Sequence, residues 1–208
     1  MTLISENSAL SKIYKKISDE NTKFSIEALV IVIKMIDVSY TRLVSLLERY
    51  EKAISEEVFM QNWLVIGNLN RLRCLIGQVP GIKKNEPWFQ SFSRKMRDAE
   101  KPRHLIEHYD KQLRDLILKV RPLLGHISWL ILGINKKLST KLILPGIIRG
   151  YKGLELVNPA GKSMRFKIDH VTYSLGDEKL NISNLYYALA KFTQNLEEYV
   201  KNKYFQSK

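Results

Sequence analysis

The chain has 208 residues, 45% of them apolar, and carries 34 lysines and arginines against 21 acidic residues, for a formal net charge of +13. That apolar fraction excludes a disordered chain, and the length allows one well-buried core without forcing a second. The single cysteine, Cys74, excludes an internal disulfide framework and fits a reducing compartment. No basic stretch followed by an apolar run opens the sequence, and the longest apolar run, Ala28 to Ile33, is too short to span a bilayer. A cytoplasmic protein without membrane association is therefore the expectation. The positive surplus creates a field that attracts polyanions, nucleic acid foremost, and its alternative use is a lysine-rich solubilising surface.

In chain order, residues 1–22 read as an arm with a short amphipathic helix, because Leu10, Ile13, Tyr14 and Ile17 share a face. From Phe24 to about Ala53 the polar positions Glu27, Lys34, Asp37, Thr41, Ser45, Glu48 and Lys52 fall in one stripe at the helical period. That pattern predicts a long helix with a broad buried face, not a strand. Ser55 predicts the cap of a second helix, with Glu56 and Glu57 near its positive end, running to Ile76 before Gly77 and Pro80-Gly81. A shorter helix follows Pro87 and buries Trp88, Phe89, Phe92 and Met96, while Cys74 reads as a small core residue.

Pro102 predicts the first turn of a fourth helix, striped by Leu105, Tyr109, Leu113, Leu116 and Val120 and closed by Pro122. Between Gly125 and Ser183 the period changes: Ile127, Trp129 and Ile131 alternate, as do Met164, Phe166 and Ile168, which predicts a small antiparallel sheet. His126 and His170 fall on these strands at core or edge positions, Asn158–Ser163 reads as a hairpin turn, and Glu178 falls in a turn. Ser183 is expected to cap a last helix built on Leu185, Leu189, Phe192, Leu196 and Tyr199. The expected fold is mainly α, a helical bundle (24–121 and 184–204) with a small antiparallel β insertion (125–183) before the last helix, as a single domain across 1–208.

The chemistry concentrates in Arg103-His104-Leu105-Ile106-Glu107-His108. Arg103 followed by His108 near the start of a helix in a basic, helical chain resembles the Arg-x4-His signature of HEPN ribonucleases. His104 stands where that family more often has Asn or Asp, and Tyr109 directly follows the histidine. The resemblance implies a bundle of four or five helices and a site shared between two protomers, which cleaves RNA without a metal or other cofactor. Arg103 would then neutralise the scissile phosphate and His108 would move the proton, with His104, Glu107 and Tyr109 in support. On a straight helix, positions five apart lie about 140° around the axis, so Arg103 and His108 would meet across a homodimer and not within one chain.

Two other readings use the same residues. His104, Glu107 and His108 form a literal H-x-x-E-H string, which a zinc hydrolase would complete with a third ligand from a distant segment. In the structural reading they form a solvated helix face, with Glu107 paired to Arg103 or Lys111. Lys136, Lys137, Lys141, Arg149, Lys152, Arg165 and Lys167 give the insertion a basic character, and with Tyr151, Phe166 and Tyr173 nearby they form the expected RNA contact. The function expected is thus an RNA-engaging homodimer with possible endoribonuclease activity. Its alternative is a non-catalytic interaction protein, with an antitoxin or other protein as partner.

Overall fold

The computed structural model describes residues 2–50, 55–80, 82, 85–119, 121–145 and 154–205. Seven α-helices and four strands are described: α1 (Ala9–Lys12), α2 (Glu20–Glu48), α3 (Ser55–Ile76), α4 (Pro87–Met96), α5 (Glu100–Glu107), α6 (Tyr109–Leu118), β1 (His126–Leu132), β2 (Leu138–Ile143), β3 (Ile168–Leu175), β4 (Glu178–Asn181) and α7 (Ile182–Val200). The fold is mainly α, with a small antiparallel sheet before the last helix, as the periodicities predict. No described helix is long and apolar enough to cross a membrane.

α2 starts at Glu20 because the Asp19 side chain accepts the Thr22 N–H at 2.8 Å, closing the first turn. Its apolar residues recur at the helical period, and Leu29, Ile33, Ile36 and Leu43 are fully buried against α3, which returns antiparallel beside it. Three expectations change here. Asp37, assigned to the polar stripe, is buried, because the Leu3 N–H and the Tyr186 hydroxyl both donate to its carboxylate. Ser55 is the first helical residue, and its hydroxyl donates to Glu56. Cys74 lies on the solvent side of α3 and is exposed, so the core-residue reading fails.

Pro87 occupies the first position of α4, where its missing N–H costs nothing, and Phe92 stacks on Phe192 of α7 at 4.2 Å between centroids. α4 ends at Met96. A tight turn at Arg97–Ala99 leads straight into α5, so Pro102 is its third residue. α5 then stops at His108 (φ −111°, ψ 34°), and α6 begins afresh at Tyr109, where a single helix from Pro102 onward was expected.

The strand order is β2-β1-β3-β4, all neighbours antiparallel. Gly125 enters β1 with φ +74°, and a Cβ there would meet the Ser174 carbonyl at 2.2 Å, so only glycine allows the two strands to close. One sheet face, with Ile127, Trp129 and Tyr173, is fully buried toward the helices, and Trp63 of α3 donates to the Tyr173 hydroxyl, which donates to the Leu124 carbonyl. β2 and β3 flank β1, so the link 144–167 must cross the sheet. Its Val157 carbonyl accepts from Thr140 on β2, covering the second face. Met164 and Phe166 consequently lie in this link and not in β3, and the Asn158–Ser163 turn sits inside it instead of joining two strands. Glu178 begins β4, the turn being Gly176-Asp177.

α7 is capped by Asn181, whose side chain accepts the Asn184 N–H at 2.8 Å. Ser183, the expected cap, is instead fully buried in the first turn. Its hydroxyl oxygen accepts from Tyr40 of α2 and from the Val171 N–H of β3, so one side chain joins three elements. Burial pushes the Tyr40 phenol up to about 12. The N-terminal arm is tied down as well: Ser8 and the Ala9 N–H both donate to Glu197 of α7.

Candidate nucleic-acid interface

Asp169 organises the region around the start of α7. It is 2% exposed, and three donors converge on its carboxylate: the Arg165 N–H (2.8 Å), the His170 N–H (2.6 Å) and the Tyr187 hydroxyl (2.7 Å). His170 adopts φ +53°, uncommon for a non-glycine residue, where the pairing of β1 with β3 shifts register. The bond to Asp169, and a 2.9 Å contact from its own ring to the Ser163 carbonyl, hold that bulge. Tyr187, fixed from below, carries the Arg165 guanidinium over its ring at 4.3 Å, and the half-exposed ring of Phe166 leans on it at 6.0 Å. A planar cation and two aromatic rings therefore stand together at the surface, which suits stacking and phosphate contact alike.

This cluster borders a groove of about 960 Å³ between the α4–α5 corner and the β4–α7 junction. Six cations line it: Lys95, Arg97, Lys101, Arg165, Lys179 and Lys191. Lys101 pairs with Glu178 and Lys179 with Glu155, while Glu100 is taken by Arg73. Lys95, Arg97, Arg165 and Lys191 are exposed and have no ion pair with a described residue. The start of α7 faces the same space through Asn181 and Asn184, adding the positive end of its dipole.

Of these six, only Arg165 was legible as an RNA contact in the sequence. The other expected contacts scatter. Lys136 and Lys137 are exposed at the β1–β2 turn, where Lys136 itself takes φ +56°. Lys141 lies over Tyr50 at 5.4 Å, and Lys167 pairs with Glu48 at 2.6 Å, a bond that holds the Glu48 carboxyl below its usual range. Tyr173 is wholly buried and removed from any ligand. Arg149, Lys152 and Tyr151 lie outside the described residues.

A second hollow of about 520 Å³ shares Glu100, Lys101 and Glu178 with the groove and is lined further by Arg103, His104, Asp115 and Arg121. Here the motif residues sort into two pairs. Arg103 folds onto Glu107 of the next turn (2.8 and 2.5 Å), and the His104 and His108 rings meet edge to face at 4.5 Å. His108 does not line the hollow. Tyr109 is half-buried, and burial raises its phenol. Among the described residues no three His, Cys, Asp or Glu side chains gather as a metal ion would need. Glu178 pairs with Lys101 and Glu197 with Lys201.

The second sheet face holds a different polar group. His126 (3% exposed) has Ser174 directly across the strand pair, and its ring contacts the Glu155 carbonyl at 3.4 Å. The Ser128 and Ser174 hydroxyls are buried without a hydrogen-bond partner among the described residues. Burial pushes the imidazole below its ordinary value of about 6.5. The native state then binds fewer protons than the unfolded chain just below that pH, so this contribution to stability is complete above it and falls on acidification. Urea midpoints should drop between about pH 7.5 and about pH 5.5, and His126→Gln should shrink the difference.

No protein-family model, curated protein or solved structure matches this chain.

Proposed function

We propose that the protein engages single-stranded RNA along the groove between the α4–α5 corner and the β4–α7 junction. One observation carries the reading: four cations without ion pairs to described residues converge beside the Arg165–Tyr187–Phe166 cluster. Lysines and arginines neutralise phosphates, and exposed rings take up unstacked bases, a combination that favours a single strand over a duplex. Fluorescence anisotropy with a labelled RNA tests it. Arg97→Glu with Lys191→Glu should weaken binding by at least about tenfold, whereas Lys136→Gln, Lys137→Gln and Lys141→Gln together should change it little. The reverse ranking would place the contact on the β1–β2 hairpin.

A second reading, cleavage of that RNA, is favoured by Arg103 and His104 lining the hollow beside the groove, with the His108 ring in edge contact with that of His104. In this reading a histidine takes the proton of a 2′-hydroxyl, which attacks the adjacent phosphorus. Arg103 neutralises the phosphate, and the departing 5′-oxygen regains a proton, leaving a cyclic phosphate and a 5′-hydroxyl. The HEPN resemblance adds a homodimer in which Arg103 of one copy completes the site with His108 of the other. His108→Ala and Arg103→Ala should each abolish an EDTA-resistant activity, and mixing the two variants should restore part of it. A zinc hydrolase would instead lose activity on chelation and suffer equally from His104→Ala. Wild-type protein that binds RNA but leaves it uncut would retain the binding function alone.

A further inference from the structure

α2 presents an apolar stripe to solvent on the side away from its core face. Phe24 (61% exposed), Ile31 (52%), Met35 (41%) and Val38 (69%) recur at intervals of seven, four and three, which places them within about 60° of one another around the helix. Met60 and Leu64 of α3, 50% and 41% exposed, extend the apolar surface onto the neighbouring helix. Isolated exposed apolar residues need no explanation, but a stripe along one helix face marks an interaction surface.

The charges beside the stripe indicate its occupant. Glu27 and Lys34 are both exposed, lie on the same flank, and have no ion pair with a described residue. A two-fold axis perpendicular to α2 at Ile31 turns a second copy antiparallel and keeps equivalent flanks on the same side. Phe24 then meets Val38 of the other copy, Ile31 meets its own equivalent, and Glu27 falls beside the other copy's Lys34. A parallel two-fold pairing would put equivalent flanks on opposite sides of the interface and form no Glu27–Lys34 pair. We infer that a second copy of this chain docks antiparallel on the outer face of α2, through Phe24, Ile31, Met35 and Val38, with register set by two Glu27–Lys34 pairs. This is self-complementary in the way a two-fold interface must be. It rests on α2 and is independent of how the groove is read.

Sedimentation equilibrium of the whole chain tests it. The wild type should be a dimer, and Ile31→Glu, which brings two carboxylates together on the axis, should raise the dissociation constant by at least about 100-fold. Because Ile31 is exposed, far-UV circular dichroism should be unchanged. Glu27→Lys and Lys34→Glu should each weaken the homodimer by about tenfold. The mixture of these two variants should pair preferentially as a heterodimer, since lysines 27 and 34 of one then face glutamates 34 and 27 of the other. The double variant should regain wild-type affinity. A monomeric wild type, a dimer indifferent to Ile31→Glu, or single variants that do not rescue one another would each overturn the proposal.

Discussion

Raising salt from about 50 to about 200 mM is expected to weaken binding of single-stranded RNA by about 50-fold. The figure follows from counting cations in the groove. Lys101 and Lys179 are already paired with Glu178 and Glu155, which leaves Lys95, Arg97, Arg165 and Lys191 to displace counterions from phosphates. At about 0.7 ions released per phosphate of a single strand, four contacts give a log–log slope near −2.8, roughly 50-fold over a fourfold change in salt. Glutamine at all four positions should remove most of that dependence. Glutamine at one should reduce the slope by about 0.7. A slope unchanged in the fourfold variant would assign the groove's charge to solubility and move the polyanion contact elsewhere. Phe166→Ala provides the complementary measurement: it should lower affinity while leaving the slope intact, because a stacked ring releases no ions.

Asp169→Ala is expected to destabilise the fold by about 3 kcal/mol, which for a chain of this length is roughly 6–12 °C in Tm. The alanine removes the acceptor of three buried or part-buried hydrogen bonds and leaves the Arg165 N–H, His170 N–H and Tyr187 hydroxyl without it. Relief from burying a carboxylate offsets part of the loss, so the net is well below three full charge-assisted bonds. Tyr187→Phe removes only one of the three and should lose about 1.5 kcal/mol. The same substitution at Asp169 should weaken RNA binding even where the protein remains folded, since Arg165 loses its backbone anchor and Tyr187 its fixed orientation. Calorimetry and anisotropy on one preparation separate the two effects. Full stability in Asp169→Ala would show that the network holds nothing together.

The sequence by itself determined the helices and the first strand. The 3.6-residue recurrence of apolar residues through α2, α3, α4 and α7, and the alternation of Ile127, Trp129 and Ile131, are local consequences of backbone geometry and need no knowledge of neighbours. Turn chemistry likewise marked Pro87 and the end of α3. The break at His108 was invisible because the apolar stripe keeps its phase on both sides, so periodicity does not register a single non-helical residue. Asp37 was read as a surface residue and Ser183 as a cap, and Asp169 was not singled out, because a polar side chain announces its polarity but not its partners. Only packing brought Tyr186, Tyr187 and Tyr40 to them, which is what allows a carboxylate or hydroxyl to be buried.

The basic groove was decided by tertiary structure alone. Its cations come from α4 and the turn after it, α5, the sheet link, β4 and α7, segments spread between Lys95 and Lys191, so no window of sequence holds their charge together. The lysine-rich insertion, which a window does reveal, is dispersed in space because strand neighbours alternate between faces and the link crosses the sheet. Composition fixed the amount of positive charge, a property of the covalent chain. Where that charge converges depends on contacts between distant residues, and those exist only once the chain has folded.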